Sequence, residues 1–296
     1  MPRKMIKIIS ELAKERYQKL LMKTRFPIPI VEVSDALRSV GIELGDSLLV
    51  HSSIRSFYRG AVYSKTRYSS GEAYAEDLIR MFLDFAGEKG ILMMPTEFIE
   101  GYQRAATINA IYSLKTAKSR RGQLTEMLRN WEGVLRSTHP IYNVCLSGRG
   151  FDEALQDHWD LPYTMDVGSP WYKFMEIGGK VIFFGVPMDN NSIIHMPEYI
   201  LKSDYPRPVF FNRPHIFNIE DMHGVRRQVP AYVHAITWPW GTVSKFLKYL
   251  NEKYGIYKTV HVHNTPITVF SAREQYDALM KELEHGVSWY DAIYWD

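Results

Sequence analysis

Three short, unbroken apolar runs constrain this chain most: SLLV at 47–50, ILMM at 91–94 and VIFF at 181–184. A strand with one wet face alternates apolar and polar residues. A run that is apolar at every position marks a strand covered on both faces, as in sheets flanked by helices. Helical spacing recurs between and after these runs, at 71–85 (Tyr74, Leu78, Met81, Phe82, Phe85), 124–131, 170–177, 192–201, 243–253 and 272–283. Ser34 reads as the N-cap of a further short helix closing at Gly41. Residues 144–146, 259–262 and 267–270 add strands, and 208–211 and 216–219 read as antiparallel strands near the turn His223-Gly224. The expected architecture is α/β: a single domain over 31–296 with a mixed β-sheet between helices. Residues 1–30 form an N-terminal amphipathic helix and linker, with Ile6, Ile9, Ala13, Tyr17 and Leu20 on one stripe.

The chain has 296 residues, 46% of them hydrophobic and 23% charged, enough for a sizeable core. A single cysteine, Cys145, excludes an internal disulfide and suits a reducing cytoplasm. No apolar run reaches transmembrane length, and charges interrupt the first 25 residues as they do not in a signal peptide. A net charge of +3 is too small for a nucleic-acid binder. It leans toward a neutral or anionic small acceptor rather than a polycation. The apolar stripe of the first helix, with Trp289, Tyr290, Tyr294 and Trp295 near the end, is read as packing or as contacts of a homo-oligomer.

Ligands in open α/β sheets collect beyond the carboxyl ends of the strands. Polar segments follow all three apolar runs: His51-Ser52-Ser53-Ile54-Arg55, Pro95-Thr96-Glu97, and a stretch from Gly185 through Asn191-Ser192 to His195 and Glu198. His195 and Glu198 are three apart, on one face if helical. They are either a surface ion pair or an imidazole oriented and made more basic by a carboxylate. His139, ahead of Pro140, is either a packed loop histidine or a base held in a fixed direction. His261 and His263 alternate on an expected strand but lack a third ligand, so no metal site is expected; Cys145 reads as a small buried hydrophobe.

Taken together these segments resemble the aminoglycoside 3-N-acetyltransferase family. The resemblance is carried by LLVHSSIRS at 48–56, GILMMPT at 90–96, GQLTE at 122–126, RSTHP at 136–140, GSP at 168–170, GGKV at 178–181 with Gly185-Val186, Asn191-Ser192 and HMPE at 195–198, and FSARE at 270–274. The order runs from about residue 32 to 284. Two departures stand out. Where many members have Thr-His-Ser after the His-Pro, this chain has Ile141-Tyr142-Asn143, so the second histidine is missing. The loop 57–70 is long and carries Tyr58, Arg59, Tyr63, Lys65, Arg67 and Tyr68.

The resemblance implies the family's α/β fold, acetyl-CoA as co-substrate, no metal, and direct transfer to an amine of an amino-sugar acceptor. That acceptor is an aminoglycoside, as in antibiotic resistance, or a biosynthetic amino sugar, free or nucleotide-linked, as in polysaccharide biosynthesis. It implies His139 as general base, with His195 and Glu198 orienting the acceptor or tuning the base. Ser52, Ser53 and Thr96 fall on the donor side, and Arg55, Arg136 and Ser137 at the CoA end. The altered residues after Pro140 leave one rival, a non-catalytic binding or assembly protein that kept the fold.

Overall fold

The computed structural model describes residues 26–61, 67–107 and 109–295. The expected helix over 6–22 lies outside the described residues, as do Tyr63 and Lys65. From one edge to the other, the main sheet carries β4 (Leu135–Arg136), β5 (Val144–Ser147), β2 (Leu92–Pro95), β1 (Leu48–Ser52), β6 (Lys180–Phe184), β10 (Thr265–Ser271) and β9 (Lys258–Val262). A smaller sheet is built of β3 (Ile111–Ser113), β7 (His215–Glu220) and β8 (Arg226–Ala231). The helices are α1 (Ile30–Ser39), α2 (Ile54–Tyr58), α3 (Gly71–Ala86), α4 (Tyr102–Thr107), α5 (Gln123–Leu128), α6 (Asp152–Gln156), α7 (Pro170–Glu176), α8 (Met196–Leu201), α9 (Thr242–Tyr254) and α10 (Ala272–Glu284).

The three apolar runs become the centre of the sheet. β1 lies parallel to both β2 and β6, with Leu49 beside Met93 and Val181. The other strand pairs of that sheet are antiparallel. Because successive side chains alternate across a strand, Leu48, Val50, Met94, Ile182 and Phe184 enter one core with α1, α3 and α5. Leu49, Met93, Val181 and Phe183 enter the other with α7, α9 and α10. Burial on both faces is why these runs show no polar alternation. Parallel pairing puts the carboxyl ends of β1, β2 and β6 at one edge, so 51–55, 95–97 and 185–198 converge there. A third core, with Phe98, Trp159, Phe217 and Val229, packs under the small sheet.

Capping chemistry fixes several helix starts. The hydroxyls of Ser70, Ser169 and Ser271 accept the N–H groups of Ala73, Tyr172 and Glu274. Several expectations need correction. α1 begins at Ile30, because Pro29 sets the entry and accepts the Val33 N–H, so Ser34 lies inside the helix. The expected helix over 192–201 splits into a 3-10 turn at Ile193–His195 and α8, since Pro197 fits only a first turn. Residues 208–211 make one bridge, Phe210 with His234, in a proline-interrupted stretch. His261 and His263 do not share a strand face: His263 turns out of β9 with φ 53 and bonds Glu32. Cys145 is buried as expected. Among the described residues, no helix is long and apolar enough to cross a membrane.

The approach to β2 depends on Gly90. A Cβ there would meet the Asp46 carbonyl oxygen at 2.2 Å and the Ala86 carbonyl oxygen at 2.8 Å, both rigid backbone. Gly90→Ala is expected to destabilise the fold by about 1–3 kcal/mol through overpacking, measured as a lowered urea midpoint with unchanged slope.

Candidate active site

Glu198, in the first turn of α8, is 0% exposed. Its Oε2 takes two imidazoles: His195 Nδ1 at 3.1 Å and His234 Nε2 at 2.5 Å. Its Oε1 accepts the indole N–H of Trp289 at 2.6 Å. Burial alone would raise this carboxyl, but the two imidazoles and their hydrogen bonds outweigh it and bring it down to about 2. The carboxylate is therefore ionised, and its charge is shared by two rings. Burial lowers His234 despite the carboxylate beside it. The alternative reading of His195 and Glu198 as a surface ion pair fails, since both are buried. His234 comes from the segment after β8 and Trp289 from the C-terminal 3-10 turn; neither belongs to a recognisable motif. Trp289, expected only to pack or to contact another subunit, also anchors the carboxylate.

Tyr142 leans on this cluster, its ring centroid 5.7 Å from that of His195, 6.1 Å from that of Tyr199 and 6.5 Å from that of His234. Its φ is 46, a left-handed conformation unusual outside glycine. The turn around it is held from every side. The indole of Trp171 donates to the Tyr142 carbonyl at 2.8 Å. The Asn143 amide donates to the carbonyls of Ser137 and His139, and its oxygen accepts from Arg136 and Thr96.

The RSTHP segment builds this platform from below. Arg136 is buried and gives its guanidinium to the carbonyls of Leu114, Ala117 and Thr96 as well as to Asn143. Ser137 accepts the Val144 N–H. His139 is 0% exposed, with Nδ1 3.0 Å from the Ile141 nitrogen and Nε2 3.1 Å from the Leu161 carbonyl. Burial pushes it down to about 4. These positions bear on four expected roles. His139 has both ring nitrogens within hydrogen-bond distance of backbone groups. The donors of Arg136 bond groups inside the protein. Thr96 and Ser137 likewise bond within the platform.

The residues expected on the donor side look different. Val50, His51, Ser52, Arg121, Asn190 and Ser192 line a small cavity of about 40 Å³ where β1, β2 and β6 end. Two buried polar atoms in it, Ser52 Oγ and His51 Nε2, have no partner among the described residues. Buried polar groups are normally satisfied, so this pair suits a polar group supplied by a ligand. Ser53 precedes α2 and its hydroxyl accepts that of Ser56, and Arg55 stands exposed in the first turn. Glu97 is buried at the edge of the same region, accepting the Tyr102 hydroxyl at 3.0 Å and the Arg121 guanidinium. Glu97 closes the polar segment Pro95-Thr96-Glu97, whereas Arg121 precedes GQLTE and belongs to none of the segments read from the sequence.

An imidazole held by a buried carboxylate, and a cavity with unsatisfied polar atoms at the strand ends, are groups that acyl transfer can use. Comparison with known proteins makes the class definite. The profile of the aminoglycoside 3-N-acetyltransferases matches residues 49–284. Aminoglycoside N(3)-acetyltransferase VII of Streptomyces paromomycinus is 25% identical over 242 residues, covering 75% of this chain and 80% of its own. Among solved structures, aminoglycoside acetyltransferase AAC(3)-Xa superposes with a TM-score of 0.72 at 19% identity, covering 93% of this chain and 99% of that one. AAC-IIIb, solved as a binary complex with CoASH, gives 0.68 at 19% identity, over 86% of this chain and 96% of that one. The chain belongs to the aminoglycoside 3-N-acetyltransferase family, and it is an acetyl-CoA-dependent acyltransferase with that family's mixed-sheet α/β fold.

The buried histidines predict an acid limit to stability. Burial lowers His139 to about 4 and His51 to about 3. In the unfolded chain both revert to about 6.5. The unfolded state therefore binds more protons between those values, and stability falls as pH drops through 6.5 toward 4. The urea midpoint is expected to decline over that window, less steeply in His139→Asn than in wild type; identical slopes would remove His139 from this role.

Proposed function

We propose that the protein transfers acetyl from acetyl-CoA to an amino group of an amino-sugar acceptor, with His195 as general base. The observation that carries this reading is Glu198, buried and ionised between two imidazoles. An ammonium cannot attack a thioester, so a base must first take its proton. With Nδ1 of His195 on Glu198, Nε2 is the nitrogen left to face the acceptor. The carboxylate stabilises the imidazolium that forms, and His234 and Trp289 fix the carboxylate. His139 then serves the platform rather than the chemistry.

Ser52 and His51 supply the unsatisfied polar atoms for the thioester end of the donor. Ser53 and the exposed Arg55 lie outward of them, where the pantetheine and phosphates of the donor would run. Arg121, rather than Arg136, is the cation that lines the cavity.

The test is thiol release from acetyl-CoA across a panel of kanamycin, paromomycin and UDP-linked amino sugars. Acceptor-dependent release is expected, and His195→Ala is expected to lower kcat by about 10²–10⁴-fold. Turnover untouched by that substitution would remove His195 as the base. Release with UDP-linked sugars alone would fix the acceptor as a biosynthetic amino sugar, and release with kanamycin or paromomycin as an aminoglycoside. A protein that binds no CoA would be the non-catalytic rival.

A further inference from the structure

We propose that the Tyr142 hydroxyl donates a hydrogen bond to the thioester carbonyl oxygen as negative charge develops on it, standing where many relatives carry the second histidine of the motif. The inference rests on acetyl transfer at His195 as read above.

Three observations carry it. The first is strain: a non-glycine residue at φ 46 costs about 1–3 kcal/mol and persists only where its surroundings over-determine it. Here the surroundings are Trp171 on its own carbonyl and the Asn143 network on the next residue. The second is position. The ring packs on His195 and His234 from one side, and its hydroxyl lies in the fields of Glu97, Glu198 and Arg121. Arg121 lines the cavity at the strand ends and Glu198 holds His195, and the ring of Tyr142 is packed directly on that imidazole. The third is chemistry. Burial, then the two carboxylates, push the phenol well above the usual tyrosine range, which keeps it a neutral donor.

In the step itself, the acceptor nitrogen forms a bond to the acetyl carbon and the carbonyl π pair moves onto oxygen. The Tyr142 O–H meets that oxygen without giving up its proton. Collapse re-forms the C=O and breaks the C–S bond, so that the CoA sulfur leaves with the electron pair. Two protons leave the nitrogen: the one taken by His195 from the ammonium passes to the thiolate, and the second, lost as the amide forms, is released to solvent.

Tyr142→Phe keeps the ring and removes the donor; Tyr142→His restores an N–H donor. With the panel acceptor that wild type turns over fastest, Tyr142→Phe is expected to lower kcat by about 10²–10³-fold with the acetyl-CoA KM little changed. Tyr142→His is expected to recover about tenfold or more of that loss, while both variants melt within a few degrees of wild type. Turnover that is lost in His195→Ala but intact in Tyr142→Phe overturns this inference alone. Equal losses in the Phe and His variants also overturn it, because then restoring an N–H donor at this position restores nothing. No wild-type turnover across the panel overturns the acetyl-transfer reading and this one with it.

Discussion

The arrangement depends on one carboxylate. Glu198 has no exposure, and an ionised group so placed is tolerated only with partners on its oxygens. Those partners come from three distant parts of the chain: the turn before α8, the segment after β8, and the C-terminal 3-10 turn. Removing one of them would leave a buried charge short of a hydrogen bond, which costs more than the bond is worth in isolation. Glu198 thus ties the small sheet, through His234, to the main domain. The same contacts hold His195 in one tautomer and direction.

A second hydrogen-bonded set lies beside this one. Arg136, Ser137, His139, Asn143 and Thr96 form a closed set of hydrogen bonds, nearly all to backbone. Few of these donors and acceptors are left for a ligand. What the set presents to the site is one side chain, Tyr142, whose ring touches both the main core and the core beneath the small sheet.

The central sheet was legible because burial on both faces writes itself as unbroken apolar runs, and SLLV, ILMM and VIFF sit where expected. His195 and Glu198 were legible because local spacing brings them together on one turn. The roles inside RSTHP were not. A residue fixed by backbone hydrogen bonds and one that touches substrate leave the same residue types in a sequence, and only the bonding of His139 and Arg136 separates them. His234 and Trp289 were illegible for a different reason: their partner lies 36 and 91 residues away in the chain, and no periodicity reports a contact of that range. Pro197, which looked like a flaw in one long helix, marks the join between a 3-10 turn and α8.

The distance between Glu198 and Trp289 also bears on when the protein becomes competent. Synthesis proceeds from the amino terminus, and domains fold as their elements become available. His195 and Glu198 leave the ribosome first, and the indole that completes the carboxylate's shell follows 91 residues after Glu198. Until that turn docks, the nascent chain holds a core with an anion lacking one of its donors. That turn works as a bolt, and a chain cut short before it would carry His195 and Glu198 and still lack one donor to the carboxylate.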